Sequence, residues 1–280
     1  MVRVWARRVV TPDDKQDWRE GAADHNRCLL ESMRPGQNDD VILVKSEADT
    51  KKHFATAPMD YPSLLKYLGG VPFRLIRRFV IIQASGKARV IDDAAAGGQS
   101  DKSTDENILS FCSAIQPATH IALLMDGMKH QGGVWPPGEG ISTAGEDLPD
   151  AYRYTPMNPA EARGCVVVWW HPGWGKPAFQ VYHGLLFGLP LAVTSFNRWP
   201  KMLEAIMRRL LVCLFSMYFD DGTNQDWSST AVVTQLAVSK VMVILGSPWA
   251  QEKSQKASQE ADFLGLVHNL TNVHKGTITS

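Results

Sequence analysis

The chain has 280 residues, 44% of them hydrophobic, so it can bury a substantial core as one large domain or as two lobes. Its 29 basic and 29 acidic residues cancel, and a zero net charge gives no guide to nucleic-acid affinity, which depends on how charge is distributed on the folded surface. The 4 cysteines are scattered without paired spacing, which argues against a disulfide framework and indicates a reducing compartment. No apolar run reaches the roughly 18–20 residues that span a bilayer and no signal peptide is evident, so we expect a soluble, intracellular protein with no membrane partner.

The first half of the chain changes from weakly patterned residues to segments with clear secondary-structure signals. Residues 1–55 are polar and predict helices and loops at the edge of the fold, or a leader that packs poorly. From Tyr61 to Asp93 the pattern predicts a short helix, a basic cluster and two strands joined by a turn at 84–86. Residues 105–115 predict a capped helix, and the glycine- and proline-rich stretch 131–145 predicts a loop.

The remaining chain alternates strand-like and helix-like segments. Two β-rich runs, Cys165–Trp170 and Ala178–Tyr182, flank a proline- and glycine-rich stretch and predict a hairpin. Residues 191–211 have helical periodicity, and Pro200 should kink or restart that helix because proline removes a backbone hydrogen bond. The last predicted elements are an amphipathic helix over 228–245 and a closing hairpin over 263–273 with Thr277.

Two groups of aspartates in this sequence are candidate ligands for a cation. The apolar run 210–217 predicts a buried strand that ends in a hairpin turn at Asp220-Asp221-Gly222-Thr223. Adjacent carboxylates repel each other unless a cation lies between them, although a solvated Asp-Asp-Gly turn is the alternative. A second site upstream starts at Asp147 and reads Asp-Leu-Pro-Asp-Ala-Tyr. Carboxylates from two places in the chain suit hard divalent cations, which prefer oxygen ligands.

The Asp-x-x-Asp-Ala-Tyr run, placed ahead of Tyr-Phe-Asp-Asp, resembles the polymerase palm of reverse transcriptases. The resemblance continues in chain order over roughly residues 75 to 270, through a fingers motif of basic residues before a short strand, a Phe-Gly-Leu segment before a helix, a lysine after the aspartate pair, and a primer-grip strand. It implies that Asp147, Asp220 and Asp221 are catalytic and bind two Mg²⁺ ions, for which Mn²⁺ can substitute. Two such ions would activate a primer hydroxyl and stabilise the departing pyrophosphate.

The resemblance also implies a nucleotide-binding set and a primer grip. Basic side chains would grip the triphosphate, an aromatic ring would collide with a 2′-hydroxyl, a Phe-Gly pair would lie against the new base pair, and a lysine would protonate pyrophosphate. These residues are Lys87, Arg89, Tyr152, Phe187, Gly188 and Lys253, with Phe263, Leu264 and Gly265 as the primer grip. The alternatives are a solvated strand edge for the two basic residues, a structural tyrosine, a simple turn before a helix, and a plain surface lysine.

The fold that the resemblance implies is α+β, a right-hand polymerase with fingers and palm. Helices would cover one face of an antiparallel palm sheet, and the open face would carry the three aspartates. We expect a weakly patterned N-terminal segment over 1–55, a fingers-like region over 56–130, and a palm with a primer-grip-like hairpin over 131–280. No residues are left for a thumb, and no carboxylate series indicates a ribonuclease H domain.

The function implied is the core of an RNA-directed DNA polymerase of a retroelement, as a fragment of a longer polyprotein or alone. Its partners would be an RNA or DNA template with a primer, together with deoxynucleoside triphosphates. A decayed or domesticated palm that binds nucleic acid without catalysis is the alternative from a different class. An RNA-dependent RNA polymerase is a further alternative, against which Tyr152 argues. The sequence leaves the oligomeric state, the template and the priming mechanism open.

Overall fold

The computed structural model describes residues 21–99 and 109–275, and these form a mixed α+β fold. The helices in chain order are α1 (Ala22–Ser32), α2 (Asp39–Lys51), α3 (Tyr61–Leu68), α4 (Gln116–His130), α5 (Pro190–Leu210) and α6 (Ala231–Ile244). The strands are β1 (Leu75–Ile82), β2 (Ala88–Asp93), β3 (Ile141–Asp147), β4 (Val166–His171), β5 (Lys176–Val181), β6 (Leu214–Tyr218), β7 (Asp221–Trp227), β8 (Gln255–Ser258), β9 (Glu260–Phe263) and β10 (Leu266–Asn269). The α+β class is therefore confirmed.

The described chain divides into two compact units that interleave along the sequence. The first unit comprises residues 21–99 and 152–195, and the second comprises 109–151 and 196–275. The interleaving arises because β4 returns to pair with β1, so a distant segment completes the first unit. The linear division at residues 55 and 130 does not follow these units, and their assignment as fingers and palm stays a prediction.

The first unit is built on a mixed sheet with strand order β2-β1-β4-β5. The β1–β4 pair is parallel and the other pairs are antiparallel. Along β4, Val167 and Trp169 pack with Ile42 of α2, whereas Val166 and Val168 pack in a cluster with Leu64 of α3. Because both faces are buried, the strand reads as a continuous apolar run without alternation.

The N-terminal segment contributes more to this unit than its weak patterning indicates. Helix α2 buries Ile42 in the core and Ser46 in a polar contact. The alternative that residues 1–55 form a poorly packed leader is therefore wrong for α2. Hydrophobicity does not mark the buried side of this helix, because the buried face carries polar Ser46 beside Ile42 while apolar Val44 is exposed.

The second unit is built on an antiparallel sheet with strand order β6-β7-β3-β8. On one face, Gln235 of α6 donates to Glu146 of β3. On the other face, His120 of α4 contacts Gln225 of β7. Helices therefore pack on both faces, and the prediction that they cover only one is corrected: α4 covers part of the face to which Asp147 and Asp221 belong by strand alternation.

Helix α5 protects the free edge of β6. The Glu204 carboxylate accepts a hydrogen bond from the Met217 backbone N–H at 2.7 Å, and Arg208 donates to the Phe215 carbonyl at 2.7 Å. Covering an edge in this way satisfies backbone groups that would otherwise be open to pairing with another chain. The predicted helix is confirmed, and it continues through Pro200 as one element instead of restarting there.

Most other predicted elements match the structure. The hairpins β1–β2 and β4–β5 and the helix α6 are confirmed. A late hairpin is present, but its strands β9 and β10 lie between Glu260 and Asn269 and not over 263–273, and Thr277 lies outside the described residues. The loop predicted over 131–145 is wrong for residues 141–145, which belong to β3. The helix predicted over 105–115 is wrong for residues 109–115, because the helix begins only at Gln116; residues 105–108 lie outside the described part. Among the described helices none is long and apolar enough to cross a bilayer.

Candidate active site

The aspartate pair lies at the β6–β7 hairpin. Tyr218 of β6 pairs with Asp221 of β7, so the turn between them consists of Phe219 and Asp220. The prediction that the turn comprises Asp220 to Thr223 is therefore corrected. Gly222 and Thr223 are paired with β6 in the ladder, and Phe219 instead takes the left-handed conformation with φ of 52°. Such a conformation is uncommon for a bulky residue and stores strain.

Strand β3 brings the upstream carboxylate beside the pair. Asp147 is the last residue of β3 and stands opposite Asp221 in the antiparallel register. Residues directly opposite each other share a face of the sheet. In addition, the Leu148 N–H donates to the Asp220 carbonyl at 2.9 Å, which ties the hairpin turn to the end of β3. The three predicted catalytic aspartates are thus brought together by strand register.

The carboxylates of this cluster repel one another, which favours a bound cation. Burial, together with the negative charges of Asp220 and Asp147, raises the pKa of Asp221 to about 6. Lys253 offsets part of this repulsion, because its ammonium donates to the Asp147 carboxylate at 2.7 Å. That hydrogen bond in turn raises the pKa of Lys253. The Ala250 N–H donates to the Asp147 carbonyl at 2.9 Å, which holds the Lys253 segment against β3.

Asp147, Asp221 and Lys253 line a cleft of about 370 Å³ in the second unit, and Asp220 lies in the turn next to it. The predicted primer-grip residues line the same cleft: Leu264 and Gly265 form the tight turn between β9 and β10, with φ of 57° and 78°. The complete lining is Gly145, Glu146, Asp147, Asp221, Gly222, Lys253, Gln255, Asp262, Phe263, Leu264 and Gly265. The structure therefore brings the aspartates, the lysine and the hairpin to one place.

Two cleft carboxylates were not predicted. Asp262 precedes the hairpin turn and contributes to the raised pKa of Asp221. Glu146 is nearly fully buried, and burial raises its pKa; its Oε1 accepts from Gln235, while its Oε2 makes no hydrogen bond. Glu146 is adjacent to Asp147 in the sequence, which was the available signal, whereas nothing local singles out Asp262.

The donor set suits a hard divalent cation. Within residues 21–99 and 109–275, no three His, Cys, Asp or Glu side chains form a complete metal-binding group. Magnesium does not require one, because it is commonly held by one or two carboxylates together with substrate phosphates and water. Asp147 and Asp221 face each other across adjacent strands and carry excess negative charge, so they fit this mode of binding.

An aromatic contact supports the hairpin turn. The Phe111 ring stacks on Phe219 with centroids 4.6 Å apart, and it lies 5.4 Å from the ring of Tyr218. Phe111 therefore packs against the residue that adopts the strained conformation next to Asp220. Sequence reasoning missed this residue, since it lies more than 100 positions away and belongs to no motif.

The predicted nucleotide-binding residues of the first unit form two groups. Lys87 and Arg89 lie exposed at the β1–β2 hairpin, where Arg89 donates to Gln83 at 3.1 Å. Tyr152 packs edge-on against Phe187, with ring centroids 4.9 Å apart and planes at 85°. Gly188 follows with φ of 100°, and a Cβ there would approach the Asp92 carbonyl to 2.6 Å, so only glycine fits.

Comparison with known proteins gives support at the level of the fold. No protein-family model matches the sequence, and no curated protein matches it significantly. Among solved structures, a protease–reverse transcriptase of prototype foamy virus is similar, with a TM-score of 0.56 and 14% sequence identity. The similarity covers 85% of this chain but only 27% of the viral chain, so this chain spans about a quarter of that protein's length. At this identity the similarity concerns the fold alone, and the conclusion is that the chain has a reverse-transcriptase-like fold.

Proposed function

We propose that the chain is the core of an RNA-directed DNA polymerase of retroelement type, which transfers deoxynucleotides to a primer 3′-hydroxyl. The observation that carries the proposal is the register of β3 and β7, which places Asp147 opposite Asp221 at the Asp220 turn. The cleft beside them also contains Lys253 and the β9–β10 turn. The reverse-transcriptase-like fold supports the same reaction class, although a fold by itself hosts many functions.

In this proposal Asp147, Asp220 and Asp221 hold two Mg²⁺ ions, for which Mn²⁺ can substitute. When bound, the ions would polarise the primer hydroxyl and stabilise the charge on the leaving pyrophosphate. Burial is the largest cause of the raised pKa of Asp221, and repulsion from Asp220 and Asp147 adds to it; a bound cation would relieve that repulsion, because each carboxylate gains a cationic partner. The carboxylates would thus both position the two ions and balance their positive charge.

The remaining roles belong to residues around the carboxylates and in the first unit. The hydrogen bond to Asp147 holds the Lys253 ammonium in the cleft and raises its pKa, and from that position the ammonium would donate a proton to the departing pyrophosphate. Phe263, Leu264 and Gly265 would contact the primer end. We further propose that Lys87 and Arg89 bind the triphosphate, and that Tyr152, Phe187 and Gly188 contact the sugar and base.

Primer extension on poly(rA)/oligo(dT) with Mg²⁺ and thymidine triphosphate tests the proposal. Asp147→Asn and Asp221→Asn should each lower the extension rate by about 100-fold or more, since lost metal coordination removes several kcal/mol of transition-state stabilisation. Asp226→Asn is the matched control: it lies on β7 but accepts from Thr234 outside the cleft, so its rate should stay within a few-fold of wild type. Unchanged extension by the two cleft variants would refute the assignment.

A nucleic-acid-binding palm without catalysis is the second candidate. It is favoured by one observation, namely that the Asp147 carboxylate is already engaged by Lys253. This candidate predicts binding of the primer-template that weakens linearly on a log–log plot with salt, because phosphate contacts release counterions. Such binding without any extension by the wild-type protein would favour it over the polymerase.

A further inference from the structure

Arg153 belongs to a buried ion-pair network in the first unit. Its guanidinium donates to the Asp92 carboxylate at 3.1 Å, and the two side chains are 8% and 1% exposed. Arg78 binds the same carboxylate through two hydrogen bonds, at 2.7 and 3.1 Å. Burial alone would raise the pKa of Asp92, but the two guanidinium groups outweigh it and lower that pKa below its ordinary value. Asp92 is therefore ionised and held from two sides.

The same arginine also contacts the aromatic pair that is proposed to meet the nucleotide. The guanidinium carbon of Arg153 lies 5.3 Å from the centre of the Phe187 ring and 4.4 Å from that of Tyr182. Its other nitrogen donates to the Leu185 carbonyl at 3.4 Å. Phe187 is 41% exposed and holds Tyr152 edge-on. One buried side chain thus joins Asp92 to a partly exposed ring.

The backbone on either side of Phe187 is restrained by the two partners of this ion pair, Asp92 and Arg153. Gly188 packs so closely on the Asp92 carbonyl that no side chain fits at that position. The contact to Leu185 restrains the other side of the ring. The position of Phe187 is therefore determined by its backbone neighbours and by the face of the Arg153 guanidinium together.

Arg153 has a stabilising role, because it and Arg78 together balance two carboxylates, Asp92 and Asp49, and the Asp49 carboxylate lies 3.8 Å from Arg153. Arg78 already satisfies Asp92 with a bidentate pair, which is the strong geometry for a carboxylate. A second buried guanidinium carries a desolvation cost, and replacing buried ion pairs by apolar residues is often neutral or stabilising. Arg153 adds two contacts that Arg78 does not make, the contact with the Phe187 ring and the hydrogen bond to the Leu185 carbonyl.

We propose that Arg153, held in place by Asp92, is a positioning residue that fixes Phe187 and, through it, Tyr152. With Tyr152 held in this way, the nucleotide site would discriminate deoxynucleotides from ribonucleotides. This inference rests on the proposed polymerase function and extends it to a residue that touches neither sugar nor phosphate. Lysine cannot replace arginine here, because an ammonium lacks the planar face that lies on the ring.

The test compares Arg153→Lys with Arg78→Lys, a matched substitution in the same network that does not contact Phe187. For each protein the ratio of kcat/KM for thymidine triphosphate to that for uridine triphosphate is measured. Arg153→Lys should lower this ratio about fivefold, the range that a desolvated cation–π contact supports. Arg78→Lys should lower the melting temperature and leave the ratio unchanged. Phe187→Leu should reproduce the loss, and the double variant with Arg153→Lys should lose no more than either single variant.

A second readout does not require polymerase activity. In fluorotyrosine-labelled protein, the fluorine NMR signal of Tyr152, assigned with Tyr152→Phe, should move in Arg153→Lys and stay in place in Arg78→Lys. A Tyr152 signal that is unaffected by Arg153→Lys would overturn the inference even if the protein extends primers. Equal changes in the incorporation ratio for both lysine variants would also overturn it. A wild-type protein that extends no primer, but shows the expected NMR shifts, would refute the polymerase function and retain the positioning role.

Discussion

The pKa of Asp221 depends on contacts that exist only in the folded state. Adjacency to Asp220 is visible in the sequence, and it predicts repulsion without a cation. In the folded protein, Asp147 and Asp262 add to the repulsion on the Asp221 carboxylate and Lys253 offsets part of it. All three residues lie more than 30 positions away in the sequence. Burial, the largest cause of the raised pKa, also exists only in the folded chain.

Asp221→Asn should therefore stabilise the protein without divalent cations, and the gain should depend on pH. The folded pKa of about 6 lies above the ordinary value of 3.8, so the stability linked to this carboxyl is fully present below pH 3.8 and is lost as pH rises through 6. Asparagine does not ionise and avoids that loss. We expect a gain of about 1 kcal/mol at pH 7, allowing for solvent screening, or about 2–4 °C in melting temperature.

Melting curves in chelator at pH 4 and pH 7 would measure this difference, which should be near zero at the lower pH. Asp226→Asn serves as the control, because it lies on the same strand outside the cleft. Adding Mg²⁺ should raise the melting temperature of the wild-type protein more than that of Asp221→Asn, since binding to the folded state stabilises it. An equal magnesium effect on both proteins would contradict the role of Asp221 as a metal ligand.

At the scale of elements, the β6–β7 hairpin was predicted but its turn was misplaced. Asp-Gly is a strong turn signal in a sequence, and it favours placing the turn after Asp220. In the structure Gly222 pairs with Met217 inside the ladder, and Phe219 adopts the positive φ. Sequence rules assign such a conformation to glycine or asparagine, so they could not place it on a phenylalanine. The ring of Phe111 stacks on Phe219, and this tertiary contact accompanies the positive φ of Phe219.

Phe111→Leu should loosen this turn. Loss of the aromatic contact should lower the free energy of unfolding by about 0.5–1.5 kcal/mol beyond the change in buried area. Because the turn carries Asp220, the Mg²⁺ concentration needed for half-maximal extension should rise. Phe111→Tyr keeps the ring and is the control. Urea denaturation and a magnesium titration of extension measure the two effects, and a stability loss with an unchanged magnesium requirement would limit Phe111 to a structural role.

At the scale of the whole molecule, α6 combines a buried side with a large exposed apolar surface. Val238 and Met242 are fully buried, whereas Val243 and Ile244 are 65% and 81% exposed. The other exposed apolar residues of this helix are Val232, Val233 and Leu236. Several exposed apolar side chains on one helix favour association with other surfaces.

Replacing Val243 by Glu and Ile244 by Lys together should reduce self-association at high protein concentration. The free energy of unfolding should stay within about 0.5 kcal/mol of wild type, because exposed positions make few packing contacts. Val238→Lys on the same helix is the contrasting variant and should unfold the protein, since it buries an unpaired charge. Sedimentation velocity over a range of concentrations measures association; identical profiles for the double variant and wild type would show that this surface is not involved.

The sequence by itself determined the class of elements, most of their positions and the carboxylates at the ends of β3 and β6. These features are local, since hydrophobic periodicity and turn residues act within about ten positions. Only the tertiary structure decided that β4 pairs with β1, that α2 packs in the core, and that Asp92 and Arg153 support Phe187. Those contacts depend on strand register and on burial between distant segments, and neither quantity is encoded in any short stretch of the chain.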